Sequence, residues 1–126
     1  MVRRIYAGWL SLVAVLIVVQ LYLAGYAVFA FNGLKSFDAH LVLGDVIGIA
    51  ILISLGLAFA ARVTRRLLMF NGVLLVLMII QFVLAHTGVQ VISALHIVNG
   101  VVIMGVSGFM TGRAWMLARG MEKVTA

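Results

Sequence analysis

The chain contains no cysteine and no proline, and only three acidic residues among its 126. Without cysteine, disulfides, iron–sulfur clusters, thiolate zinc sites and covalently attached c-type haem are all excluded. Without proline, no helix is kinked by that route. The acids are Asp38, Asp45 and Glu122, and only Asp45 falls well inside an apolar run.

What the chain has in excess is apolar surface. It is 66% hydrophobic, with a mean hydropathy of +1.30. A soluble domain of this size would have nothing to cover its outside with, so the bilayer is the solvent. The net charge of +6 raises the question of nucleic acid. The basic residues sit at the ends of apolar runs and form no polar face, which rejects that reading.

Apolar runs cover about 5–31, 41–61, 67–87 and 92–113. A helix needs roughly 20 residues at ~1.5 Å each to cross a hydrocarbon core of ~30 Å. All four runs qualify, and helices are expected because a small open sheet would leave unpaired edges in lipid. The breaks are 32–38, 62–66 and 87–90. Arg3, Arg4, Arg62, Arg65, Arg66, Arg113, Arg119 and Lys123 fall on one side, and only Lys35 on the other. The positive-inside rule then makes both termini and the middle loop cytoplasmic. Arg3-Arg4 followed by an apolar run resembles a signal peptide. The run exceeds a typical h-region, and the first helix is expected to stay with the chain.

The sequence is internally repeated. His40-Leu41-Val42-Leu43-Gly44-Asp45-Val46-Ile47 and His96-Ile97-Val98-Asn99-Gly100-Val101-Val102-Ile103 agree at five of eight positions. Gln20-Leu21-Tyr22-Leu23-Ala24 likewise matches Gln81-Phe82-Val83-Leu84-Ala85, and Arg3-Arg4 matches Arg65-Arg66. Apolar matches come cheaply in membrane helices, but shared Arg, Gln, His and Gly positions do not. Each unit holds two spans, so the repeat is parallel, about an axis along the membrane normal. The expected fold is all-α: a polytopic membrane four-helix bundle of two tandem hairpins in one transmembrane domain, 1–126. Repeat 1 is 1–62 and repeat 2 is 63–126.

The repeat places His40 and His96 at similar depth on symmetry-related helices. Neutral imidazole is a good haem-iron ligand. Both histidines are expected in the first turn of their helices, where the positive helix end favours the neutral ring. The same helix ends, with Lys35 nearby, suit haem propionates. Gly44 and Gly100 lie four residues on, on the same face, where a side chain would collide with a flat macrocycle. The blander reading is that histidine is common at membrane interfaces, and that Gly44-x-x-x-Gly48 and Gly108-x-x-x-Gly112 simply let helices approach. For either histidine alone the blander reading prevails. For the matched pair with matched glycines, cofactor ligation is favoured. A single imidazole also suits the magnesium of a chlorophyll.

Gln20 and Gln81 sit at nearly equal depth, and an amide in hydrocarbon needs a partner. They are expected to bond between helices or, more sharply, to hold a ligand imidazole in one tautomer through the amide oxygen. Asp45 could accept a proton, pair with Asn99 or Gln90, or be a protonated buried acid. Asn71 and Ser107 are expected to make interhelical bonds. His86 has no mate in the repeat and is read as interfacial, with contact to a propionate or quinone as the lesser option. Met104 lies two turns below His96 and is read as packing.

The paired His-x-Val-x-Gly and Gln-x-x-Leu-Ala motifs resemble one four-helix half of haem A synthase, as does Leu95-His96-Ile97. That enzyme carries haem-ligating histidines at the outer ends of its second and fourth helices. The resemblance spans most of the chain and implies a haem-sized cavity between His40 and His96. The family's second-helix motif has a glutamate three residues before the histidine and an arginine just after it. Here those positions hold Phe37 and Leu41, and the cysteine pair of many members is missing. These departures argue against its oxygenase chemistry. The chain also looks like small bacterial four-helix membrane proteins with one histidine per hairpin.

The resulting expectation is a haem b protein of the bacterial inner membrane, ligated by His40 and His96 and serving electron transfer. Quinone or another redox protein would be its partner. The alternative is a cofactor-free or chlorophyll-binding accessory subunit of a larger respiratory or photosynthetic complex, or a homo-oligomer. A transporter or channel is a third option with thin support.

Overall fold

The computed structural model describes residues 1–29 and 37–121. Four helices make up the fold: α1 (Val2–Phe29), α2 (Asp38–Ala60), α3 (Arg65–His86) and α4 (Gln90–Ala118). Each is long and apolar enough to cross a membrane. Lys35 and most of the first expected break lie outside the described residues, as do Glu122 and Lys123.

The helices form a ring. α1 packs on α2 and α4, and α3 packs on the same two, while no described Cα of α2 comes within 8 Å of one in α4. The same holds for α1 and α3. The two hairpins therefore sit side by side, with α2 and α4 on one diagonal and α1 and α3 on the other. Hydrogen bonds between chain-distant residues tie neighbouring helices together. Trp9 Nε1 donates to Ala50 O (3.0 Å), and Trp115 Nε1 donates to Ser11 Oγ (3.0 Å).

Buried positions follow the repeat. In α1 they include Tyr6, Leu10, Val13 and Ile17, and in α3 they are Leu67, Asn71, Leu74 and Met78. Each pair is 61 positions apart. In the even helices the offset is 56. Gly44, Ile47, Ile51, Ser54, Ala58 and Ala61 are matched by Gly100, Ile103, Ser107, Met110, Ala114 and Leu117. Steps of three and four within each set form one inward stripe per helix, the spacing of knobs-into-holes packing. The outward faces carry exposed aliphatics such as Val15, Ile49, Leu52, Ile79 and Val101, a surface suited to lipid rather than water.

Polar links between helices hold the end of the bundle that carries the termini. Asn71 Nδ2 donates to Tyr6 Oη (2.7 Å) across the α1–α3 diagonal, and also to Leu67 O (2.8 Å). Asn71 thus makes the expected interhelical bond. Ser107 does not: it is fully buried, and its Oγ has no partner among the described residues. The nearby α1–α4 link comes instead from Thr111, whose Oγ1 donates to Leu10 O (3.2 Å). Of the two small-residue motifs, Gly48 does let a neighbour approach closely, with the Phe82 ring of α3 3.1 Å from where its Cβ would be. Gly108 and Gly112 instead face outward with open space beside them.

Helix ends follow local chemistry. Thr64 caps α3, its hydroxyl accepting from Leu67 N at 3.3 Å. α2 and α4 end in the same pair of bonds, Arg62 N→Phe59 O with Val63 N→Ala58 O, and Gly120 N→Leu117 O with Met121 N→Met116 O. This Schellman geometry needs a left-handed residue just after the cap. Gly120 supplies it at φ 74°, but Arg62 occupies the same position at φ 47°. A side chain there costs about 1 kcal/mol. Arg62→Gly is therefore expected to stabilise the bundle by ~0.5–1 kcal/mol, net of the added freedom of the unfolded chain. Reversible unfolding in mixed micelles would check it, and a loss of stability would show that Arg62 makes a compensating contact.

Candidate functional site

At the end of the bundle away from the termini, two copies of one arrangement face each other. His40 of α2 turns toward α1, and its Nδ1 donates to the backbone carbonyl of Gln20 at 3.1 Å. His96 of α4 turns toward α3, and its Nδ1 donates to the backbone carbonyl of Gln81, also at 3.1 Å. A carbonyl can only accept, so Nδ1 carries a hydrogen in both rings, and the neutral ring has its lone pair on Nε2. The carbonyl is open to a second bond because the residue one turn on, Ala24 or Ala85, has only a methyl group to cover it.

The buttress is thus the main chain of Gln20 and Gln81, not the amide oxygen that the sequence suggested. The amides do something else. Gln20 Nε2 donates to His40 O at 2.8 Å, whereas Gln81 Nε2 lies 3.2 Å from His96 Nε2 and donates to it. The glycines serve these amides. A Cβ on Gly44 would meet Gln20 Nε2 at 3.1 Å, and one on Gly100 would meet Gln81 Nε2 at 3.4 Å. The room expected for a macrocycle beside Gly44 and Gly100 is therefore taken by glutamine side chains.

The imidazoles meet across the α2–α4 diagonal with ring centroids 6.1 Å apart and planes inclined at 66°. Both rings are half-buried. One position differs from expectation. His40 is the third residue of α2, but α4 begins at Gln90, which makes His96 its seventh residue. The field of a helix end fades within one turn, so that argument for a neutral ring applies to His40 alone. The carbonyl bond at Nδ1 fixes the tautomer of both rings.

The sequence offered Asn99 only as a partner for Asp45, and the structure gives it another role. Its Nδ2 donates to Gln81 Oε1 (2.7 Å) and to Leu77 O (2.9 Å). This occupies the amide nitrogen that an Asp45 partnership would have used. The available signal was a polar break in the repeat, since Leu43 stands at the equivalent place. Asp45 is exposed, not buried, on the outward side of α2, where it borders an apolar groove with Gly48, Leu52, Leu75, Met78 and Phe82. His86 is exposed at the end of α3, its Nδ1 donating to Phe82 O at 2.8 Å, and takes no part in the pair.

Among the described residues, no group of three or more His, Cys, Asp or Glu converges on one point. The site offers two imidazoles and three side-chain amides, of Gln20, Gln81 and Asn99, and of these Gln20 Oε1 is buried without a partner. No curated protein and no solved structure matches the chain. A family-level match covers residues 20–88, taking in Gln20, His40, Gly44 and Gln81. That match spans more than half of the chain, which therefore belongs to the family of unknown function designated DUF6220.

Proposed function

We propose that the chain is a b-type haem protein of the bacterial inner membrane, with both termini cytoplasmic and His40 and His96 as axial ligands near the outer face. The observation that carries this reading is the duplicated buttress: two imidazoles, each held by a main-chain carbonyl at Nδ1, facing each other at 6.1 Å. If a haem bound here, His40 and His96 would be the residues to hold its iron, and Gln20 and Gln81 would have to yield the space beside Gly44 and Gly100. A porphyrin brings four nitrogens of its own and asks the protein only for axial donors, so two histidines are a sufficient set.

When bound, haem supplies one-electron chemistry. The chain's part is to fix both Nε2 lone pairs and to keep the rings out of bulk water. Electron exchange with a quinone or another redox protein is the role that fits two strong axial nitrogens. The test is an absorption spectrum of the protein purified from cells supplied with haem. A Soret peak with a reduced α band, lost in the His40→Ala/His96→Ala double variant, is the expected result. A colourless protein overturns the reading, and red-shifted bands point to a chlorophyll-type pigment instead.

One observation favours a second reading, a cofactor-free accessory subunit or homo-oligomer. Gly105, Gly108 and Gly112 leave the outward face of α4 bare, with open space beside each. A partner helix could pack closely there. Cross-linking in native membranes would reveal it.

A further inference from the structure

The two halves of the fold also differ on their outward sides. The α2–α3 side carries a groove of about 370 Å³, lined by Asp45, Gly48 and Leu52 of α2 and by Leu75, Met78 and Phe82 of α3. It runs ~10 Å along the helices, the rise of seven residues. Asp45 and Phe82 stand at its histidine end, and Leu52 and Leu75 at its other end. The internal repeat maps this side onto the α4–α1 side. There Val101, Met104 and Leu21 take the places of Asp45, Gly48 and Phe82. One side of the bundle thus has an acid, a gap and a flat ring where its copy has three apolar side chains and no ring.

From these three departures we infer that the groove binds a quinol, a lipid-soluble ring with hydroxyl donors and an apolar tail. Asp45 is exposed, ~10 Å along α2 from its first residue, and makes no hydrogen bond or ion pair with a described residue. A carboxyl group at that depth calls for a polar partner. It accepts a hydrogen bond whether or not it is ionised, so a hydroxyl suits it. An anionic lipid head does not, because like charges repel. The Phe82 ring and the Met78 methyl pack on Gly48, 3.1 Å and 3.8 Å from where its Cβ would be, and form an aromatic and thioether wall beside the acid. Leu52 and Leu75 continue the groove as a bed for a tail. A membrane-spanning partner helix would need a seat along the full ~30 Å of hydrocarbon. This groove is about a third of that length, and its volume is that of a small-ligand site. It lies apart from the imidazole pair, so the inference holds whether or not haem binds.

The test is photolabelling of the purified chain in lipid nanodiscs. The probe is a ubiquinol whose short alkyl tail ends in a diazirine, kept reduced under argon. Saturable labelling confined to peptides from the 45–52 and 75–82 segments is the expected result. The repeat supplies the variants. Asp45→Val should raise the half-saturating concentration about tenfold, the factor corresponding to one strong hydrogen bond. Asp45→Asn keeps an acceptor and should cost less. Gly48→Met should abolish labelling by filling the gap. Asp45 is exposed and packs against nothing that Asp45→Val would empty, so that variant judges the proposal even if Gly48→Met does not fold.

A second probe, with the same tail but both ring hydroxyls methylated, has no hydrogen to donate. It should bind about tenfold more weakly. Equal labelling by the two probes means that the groove takes apolar chains alone, and overturns the inference. Labelling that Asp45→Val leaves unchanged, or that never saturates, overturns it too. Labelling of the purified chain that is absent in native membranes shows a protein helix covering the groove, and overturns quinol as its occupant. None of these measurements needs haem, so a colourless protein that labels as expected fails the haem reading alone.

Discussion

Tyr6→Ala is expected to destabilise the bundle by about 3–5 kcal/mol, the usual cost of emptying a large buried aromatic position. Tyr6 is fully buried near the end of the bundle that carries the termini. Its hydroxyl accepts from Asn71 Nδ2 at 2.7 Å, linking helices that lie diagonally opposite each other. Truncation therefore opens a cavity and also strands a polar group, since Asn71 Oδ1 already has no partner. Tyr6→Phe keeps the ring and removes only the acceptor. Asn71 Nδ2 retains its bond to Leu67 O, so a loss of ~1 kcal/mol is expected. Reversible unfolding in mixed micelles would measure both. Equal costs for the two variants would mean that the hydrogen bond, and not the packing, dominates.

Gly44→Leu should weaken haem binding by about 10- to 100-fold, the usual effect of disturbing a group that orients a metal ligand. The path runs through Gln20. A Cβ at Gly44 already stands 3.1 Å from Gln20 Nε2, so a longer side chain must push that amide off His40 O. The displaced glutamine then competes for the space around the imidazole. Gly100→Leu should act likewise on Gln81 and His96. Alanine variants grade the effect, because the Cβ contact at Gly100, 3.4 Å, is an ordinary one. Gly44→Ala is expected to cost more than Gly100→Ala. The reverse order would show that the glycines make room for something other than the glutamines. Haem titration of the detergent-purified variants reads this directly.

The number of helices, their approximate ends and their shared arrangement in two hairpins were legible in the residues. Apolar runs long enough to span a bilayer leave the backbone one economical way to satisfy its hydrogen bonds, as helices. The paired Gln, His and Gly positions were legible too, because a duplicated unit repeats its polar exceptions against an apolar background. The roles of those residues were not. Strings of letters show that Gln20 precedes His40 by one hairpin, but not whether the side chain or the main chain meets the ring. The start of α4 was placed two residues too late, because the polar break was read as running through Gln90, whereas Val89 is the N-cap and Gln90 is already the first helical residue. That difference moved His96 out of the first turn and removed the helix-end argument from it.

By itself, then, the sequence determined a membrane-spanning four-helix chain with two matched histidines, since hydropathy and repetition are properties of the linear order. Only the tertiary structure decided that those histidines face each other across the α2–α4 diagonal, that main-chain carbonyls hold them, and that the glycines accommodate glutamine amides. It alone set Asn99 beside Gln81, making the two halves unequal. The physical reason is that a hydrogen bond depends on distance and direction between groups far apart in the chain. Those are fixed by how four helices pack, not by which residues each helix contains.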